Sequence, residues 1–254
     1  GVPTTAASQV TGRAPATADA PVVARLREAG AILIGKCNLH EFAFGTTGED
    51  SSYGQTLHPR DPNRSPGGSS GGSAVSVATG MAFATLGTDT GGSIRIPAAA
   101  CGLVGLKPTF GEVSCDGVVP LAPSLDHVGP LTRCVRDARL VYRAIRNPQG
   151  DESVPTNSAA QKLGCPRPYF LDRLDDEVRA VFERALSRLT EADWTVEDAP
   201  VQHAHDTATI YLHLILSEAA AMHAATLEQQ PQDYTPAVRL RLELGRYVRA
   251  EDYV

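Results

Sequence analysis

Gly67-Gly68-Ser69-Ser70-Gly71-Gly72-Ser73 and Asp89-Thr90-Gly91-Gly92-Ser93-Ile94-Arg95 set two glycine-flanked serines, Ser69 and Ser93, 24 residues apart. A serine hydroxyl is a poor nucleophile until a neighbouring group removes its proton. Glycines around it let a substrate approach the main chain closely and let successive N–H groups converge on an oxyanion. The pattern therefore points to acyl transfer, with Ser93 attacking and Ser69 or Ser70 relaying the proton to a neutral lysine, a known variant of the serine triad. Two plainer readings compete. A phosphate loop requires a lysine directly after its glycines, and none follows here. A flexible linker explains neither the second run nor the apolar segments flanking both.

The elements around these runs alternate between helix and strand. Residues 20–28 read as a helix behind Thr17 and Asp19, closed by Gly30. Ala31 to Ile34 reads as a buried strand. Residues 46–70 form a long loop of the kind that often carries function. A helix over 72–79 and a strand over 83–88 follow, so helices are expected to cover a sheet. Further helices are expected over 131–146, 175–192, 207–228 and 237–247, a strand over 194–196, and a surface connection over 147–168. The acids crowding the start of the 175–192 segment favour a helix there. No internal repeat or composition shift marks a second domain.

The chain of 254 residues is 42% hydrophobic and 20% charged, the balance of an ordinary globular protein. Its net charge of −6, with no basic block, argues against nucleic-acid binding. Five cysteines, an odd number without a C-x-x-C pair, favour reduced thiols and a cytoplasmic setting. No apolar stretch reaches the roughly 18 residues that span a bilayer. Lysine occurs only at Lys36, Lys107 and Lys162, so a lysine base has few candidates.

These motifs resemble the amidase signature family of Ser–Ser–Lys hydrolases. The likeness runs through the two glycine–serine segments, Ile96-Pro97-Ala98, Cys101-Gly102 and Gly105-Leu106-Lys107-Pro108-Thr109. Glu41-Phe42-Ala43 and Ser124-Leu125-Asp126-His127-Val128-Gly129-Pro130 are similar too. It is strong to about residue 146 and generic beyond. The resemblance implies an α/β fold, a mixed central β-sheet covered by helices on both faces, as one partial domain over 1–254. Its signature core would lie at about 30–130 and a helical substrate side at about 170–254. It makes Ser93 the nucleophile and Ser69 the bridging serine, held by a cis peptide bond. Thr90, Gly91, Gly92 and Ser93 would supply oxyanion N–H groups, and Ser70, Asp89 and Arg95 would brace the loop. The family's lysine lies upstream of the segment that resembles Gly1-Val2-Pro3-Thr4-Thr5, so this chain reads as a fragment. Poor solubility of the isolated chain is expected. No metal or organic cofactor is implied.

The implied substrate is a small-molecule amide, with no direct nucleic-acid or membrane partner and a homodimer left open. Three alternatives accompany this reading: an amidotransferase component releasing ammonia for a partner, an inactive amidase-like binding protein, and a nucleotide-binding protein. His203, His205, His213 and His223 keep no recognised metal-ligand spacing and are assigned to helix surfaces. His40-Glu41 lacks the second histidine of a zinc protease motif. Cys101 reads as a small buried residue, and His127 as a packing residue near the site.

Overall fold

The computed structural model describes residues 1–147 and 162–254. They divide into two compact units, Gly1–Gly150 with His213–Val254, and Asp151–Leu212.

In the first unit the sheet is antiparallel, with strand order β1, β3, β2, where β1 is Ala84–Thr88, β2 Val104–Gly105 and β3 Val128–Thr132. The register pairs Gly87 with Gly129 and Gly105 with Leu131. Every residue of β3 is buried, as a central strand covered on both faces requires. Side chains alternate across a strand, so Leu131 and Val128 point to opposite faces. Leu131 packs with Ala74 of α2 (Gly71–Ala78) and with Ala98 and Cys101 of α3 (Arg95–Cys101). Val128 packs with Val22 of α1 (Pro21–Glu28) and Ile145 of α4 (Val135–Ile145). The α/β expectation holds, and Cys101 is buried as anticipated. The helix expected over 131–146 begins four residues late, because Leu131 and Thr132 still belong to β3.

Ala31 to Ile34 is not a buried strand. Ile32 and Ile34 are 89% and 73% exposed, and no backbone bond pairs Ile32 to Gly35 with another segment among the described residues. An apolar run becomes a strand only where an edge receives it.

The second unit holds a parallel pair, β4 (Lys162–Cys165) and β5 (Thr195–Asp198), with the single turn α5 (Arg167–Phe170) and α6 (Asp176–Glu191). The Asp175 side chain caps α6 by accepting from Val178 N at 2.9 Å. The surface connection expected over 147–168 lies mostly outside the described residues, and its end, Lys162–Cys165, is a strand.

Helix α7, Thr207–Met222, belongs to the second unit as far as Leu212 and to the first from His213. The single helix expected over 207–228 is divided at His223, after which α8 covers Ala224–Gln229. Helices α9 (Pro236–Gly245) and α10 (Ala250–Tyr253) complete the first unit. Its C-terminal part is tied to residues near the start of the chain. Glu41 is fully buried and accepts from Thr235 N at 2.8 Å and Thr235 Oγ1 at 2.6 Å, at the N-terminus of α9. His223 is buried rather than on a helix surface, because Phe42 and Tyr234 close over it with ring centroids 4.3 and 5.7 Å away. No helix among the described residues is long and apolar enough to cross a membrane.

Candidate active site

The two glycine–serine runs meet in the first unit. The first leads into α2, the second bridges β1 and α3. Ser70 joins them: its N–H donates to Ser93 O at 3.2 Å, while its hydroxyl donates to Thr88 O and accepts from Thr88 N, both at 3.2 Å. Ser73, one turn on, donates to Leu86 O at 2.9 Å. Helix α2 is thereby fastened along β1 by side chains that reach its backbone.

The peptide bond between Gly68 and Ser69 is cis. Glycine is required just before it: Gly67 has φ +76°, and a Cβ there would stand 2.9 Å from Pro97 Cα. Ser69 is fully buried, and its hydroxyl has no hydrogen-bond partner among the described residues. Its carbonyl accepts from His40 N at 3.0 Å.

Asp89 holds the second run. Its Oδ1 accepts from Gly92 N at 2.8 Å and Arg95 Nη2 at 2.9 Å; its Oδ2 accepts from Ile94 N at 3.2 Å, Arg95 N at 3.4 Å and Arg95 Nε at 3.0 Å. Burial pushes the Asp89 carboxyl up, but the bonds and charge of Arg95 and the N–H groups of Ile94 and Gly92 outweigh it, leaving it below its ordinary value. The Arg95 guanidinium is correspondingly raised by its bond to Asp89. Gly92 sits at φ +133° and gives its N–H to Asp89, not to an open cleft as its expected role would need. The N–H groups of Thr90, Gly91 and Ser93 make no hydrogen bond among the described residues. Ser93 itself is 6% exposed.

Residue spacing carries no sign of Asp126, which grips the same turn from 36 residues away. Its Oδ1 accepts from Thr90 Oγ1 at 2.5 Å and its Oδ2 from Leu121 N and Ala122 N at 2.8 and 3.1 Å. His127 pairs with Asp89 through both backbone groups, at 3.0 and 3.1 Å, so it holds the turn as well as packing near it.

None of the three lysines bonds either serine. Lys36 donates to Val2 O at 2.7 Å and contacts Thr4 Oγ1, Lys107 donates to Pro108 O at 2.7 Å, and Lys162 pairs with Glu197 at 3.2 Å. No group of three histidine, cysteine or acidic side chains is arranged to hold a metal among the described residues.

The A subunit of the glutamyl-tRNA(Gln) amidotransferase of Moorella thermoacetica is 38% identical over all of this chain, which covers 58% of that protein. Its counterpart in Salinibacter ruber is 45% identical over 76% of the chain and 40% of its own length. The chain thus spans roughly half the length of these curated relatives. A solved amidase superposes over the whole chain and 57% of its own, with a TM-score of 0.90 and 42% identity. The solved glutamyl-tRNA(Gln) amidotransferase A subunit of Thermotoga maritima gives a TM-score of 0.80 with 36% identity, over 97% of this chain and 56% of its own. The Amidase family model matches residues 1–253, serine loops and C-terminal helices included, and the chain belongs to that family.

Proposed function

We propose that the parent protein hydrolyses a carboxylic amide to an acid and ammonia or an amine through an acyl-enzyme on Ser93. The observation that carries this reading is the junction of the two runs. Ser69 and Ser93 are both buried, and the bond from Ser70 N to Ser93 O ties one run to the other, beside three unengaged N–H groups.

In the reading, Ser93 Oγ attacks the amide carbonyl carbon and its proton passes to Ser69, whose own proton passes to a neutral lysine. None of Lys36, Lys107 and Lys162 is assigned that role, since each is engaged elsewhere. The carbonyl oxygen becomes an oxyanion facing the N–H groups of Thr90, Gly91 and Ser93. One such donor is worth roughly 3–4 kcal/mol in the transition state. The tetrahedral intermediate collapses as the lysine returns its proton through Ser69 to the departing nitrogen. Water then cleaves the acyl ester by the same route. Gly92 keeps the turn open at its positive φ, and Asp89, Arg95 and Ser70 brace it.

Ser93→Ala in the parent protein should lower kcat by about 10⁴-fold or more and abolish labelling by a fluorophosphonate. Ser69→Ala should slow turnover severely yet leave some labelling of Ser93. Full activity in Ser93→Ala removes the mechanism.

A second reading has the curated relatives in its favour: a glutaminase component that supplies ammonia to a partner. It predicts glutamine turnover that rises when the partner is present.

A further inference from the structure

A cavity of about 200 Å³ opens beside the serine loops, lined by Thr88 and Thr90 and by Val118, Val119, Pro120 and Leu121. The charged side chains lining it are Asp116 and Asp126, and neither lysine nor arginine faces it among the described residues. Asp126 is fixed by the three bonds already described. Asp116 is exposed, and its Oδ2 accepts from Ser114 Oγ at 2.9 Å. His127, also on the wall, has Nδ1 2.6 Å from Leu125 O and 3.2 Å from Asp89 O, which assigns its proton to Nδ1. Its Nε2 is buried without a partner among the described residues. The Cys115 thiol on the same wall is pushed up, first by burial and then by the charges of Asp126 and Asp116.

We infer that this slot receives the non-reacting part of the amide and selects an uncharged aliphatic group over a carboxylate, with Asp116 as the residue that sets the preference. The inference rests on the acyl-serine reading, because the slot matters to substrate only if the reacting carbonyl lies at the Thr90 turn. An aliphatic chain gains from leaving water against the Val118 to Leu121 wall. A carboxylate in the same place gives up its hydration, finds no cation on this wall and faces two carboxylates. Since Asp116 is exposed, solvent screens it, so the preference it sets is a matter of several-fold rather than of orders of magnitude.

The test compares butyramide with succinamate, which differ in a methyl against a carboxylate at the far end. With the parent protein, kcat/KM for butyramide should exceed that for succinamate by about tenfold or more. Asp116→Asn should narrow that ratio about three- to fivefold, and added salt should narrow it in the unmodified protein but less in the variant. Equal use of the two amides, or a ratio unmoved by Asp116→Asn, overturns the inference. Calorimetric titration of both amides into Ser93→Ala protein reads the same preference without chemistry. Failure of the acyl-serine reading would show as undiminished turnover in Ser93→Ala, whereas failure of the slot would show as succinamate binding as tightly as butyramide.

Discussion

Asp89 and His223 are two buried ionisable side chains of one compact unit, and their surroundings treat them in opposite ways. Asp89 accepts five hydrogen bonds and is held below its ordinary value despite burial. His223 has one polar partner for its ring, Tyr234 Oη at 3.0 Å from Nδ1, and a buried Nε2 with none among the described residues. Burial alone pushes it down to about 4. The chain keeps a buried charge where a turn must be fixed against Ser93, and a neutral ring where helices merely pack. Charge is retained where three backbone N–H groups and a guanidinium are available to meet it, and lost where the neighbours are Phe42 and Tyr234.

The sharpest way to break this contrast is Asp89→Ala. It leaves the N–H groups of Gly92, Ile94 and Arg95 unpaired, and should cost about 3–5 kcal/mol in urea unfolding together with most of the activity. A loss below about 1 kcal/mol would mean the turn holds itself and the charge is incidental.

His223 should show itself through pH. Its folded value, about 4, lies below the ordinary 6.5, so between them the unfolded chain binds more protons than the folded one. Stability should therefore rise with pH across that window, and fall on acidification by up to about 3 kcal/mol. Asp89 adds a separate loss lower down: its contribution is present above 3.8 and disappears as pH drops through its depressed folded value. Urea midpoints measured from pH 7 to pH 3 should show the upper phase and the onset of the lower one in the parent protein. His223→Phe should shrink the upper one, to which buried His40, also lowered by desolvation, contributes. An unchanged upper phase in that variant would assign it to another group.

The smallest effect is expected outside both settings. Ile32→Ser alters a side chain 89% exposed in this chain, and should shift the stability of residues 1–254 by less than about 0.5 kcal/mol. A larger loss would mean that Ile32 is covered in solution.

Local signals made much of the fold legible. Helix α6 follows from Val178, Val181, Phe182, Ala185 and Leu189 at helical spacing behind an aspartate cap, all of it within one segment. The glycine–serine runs were legible from residue type and spacing, whereas the bonds of Ser70 to Thr88 and Ser93 that join them run between segments. What depended on distant partners was not. Ala31 to Ile34 has a strand's composition but no edge to join. Lys162–Cys165 has little strand character, yet becomes one by pairing with Thr195–Asp198. His223 lies in an alanine-rich helical run, and only Phe42 and Tyr234, brought from elsewhere along the chain, decide that it is buried. Asp126 was visible as part of a family-like segment, but its hold on Thr90 joins two loops and leaves no mark in spacing.

Ser70 meets Gly87 closely enough that the two positions are bound to one another as a genetic pair. A Cβ at Gly87 would stand 2.7 Å from Ser70 Oγ and 2.8 Å from Leu131 Cδ1. The hydroxyl that latches Thr88 therefore occupies the space an ordinary side chain at Gly87 would fill. Alanine at Gly87 should be tolerated better beside Ser70→Gly than beside serine, a positive epistasis between sites 17 residues apart. The double variant would recover room but not the latch. Drift at this corner is thus easier as a joint change of the two residues than as a single change at Gly87.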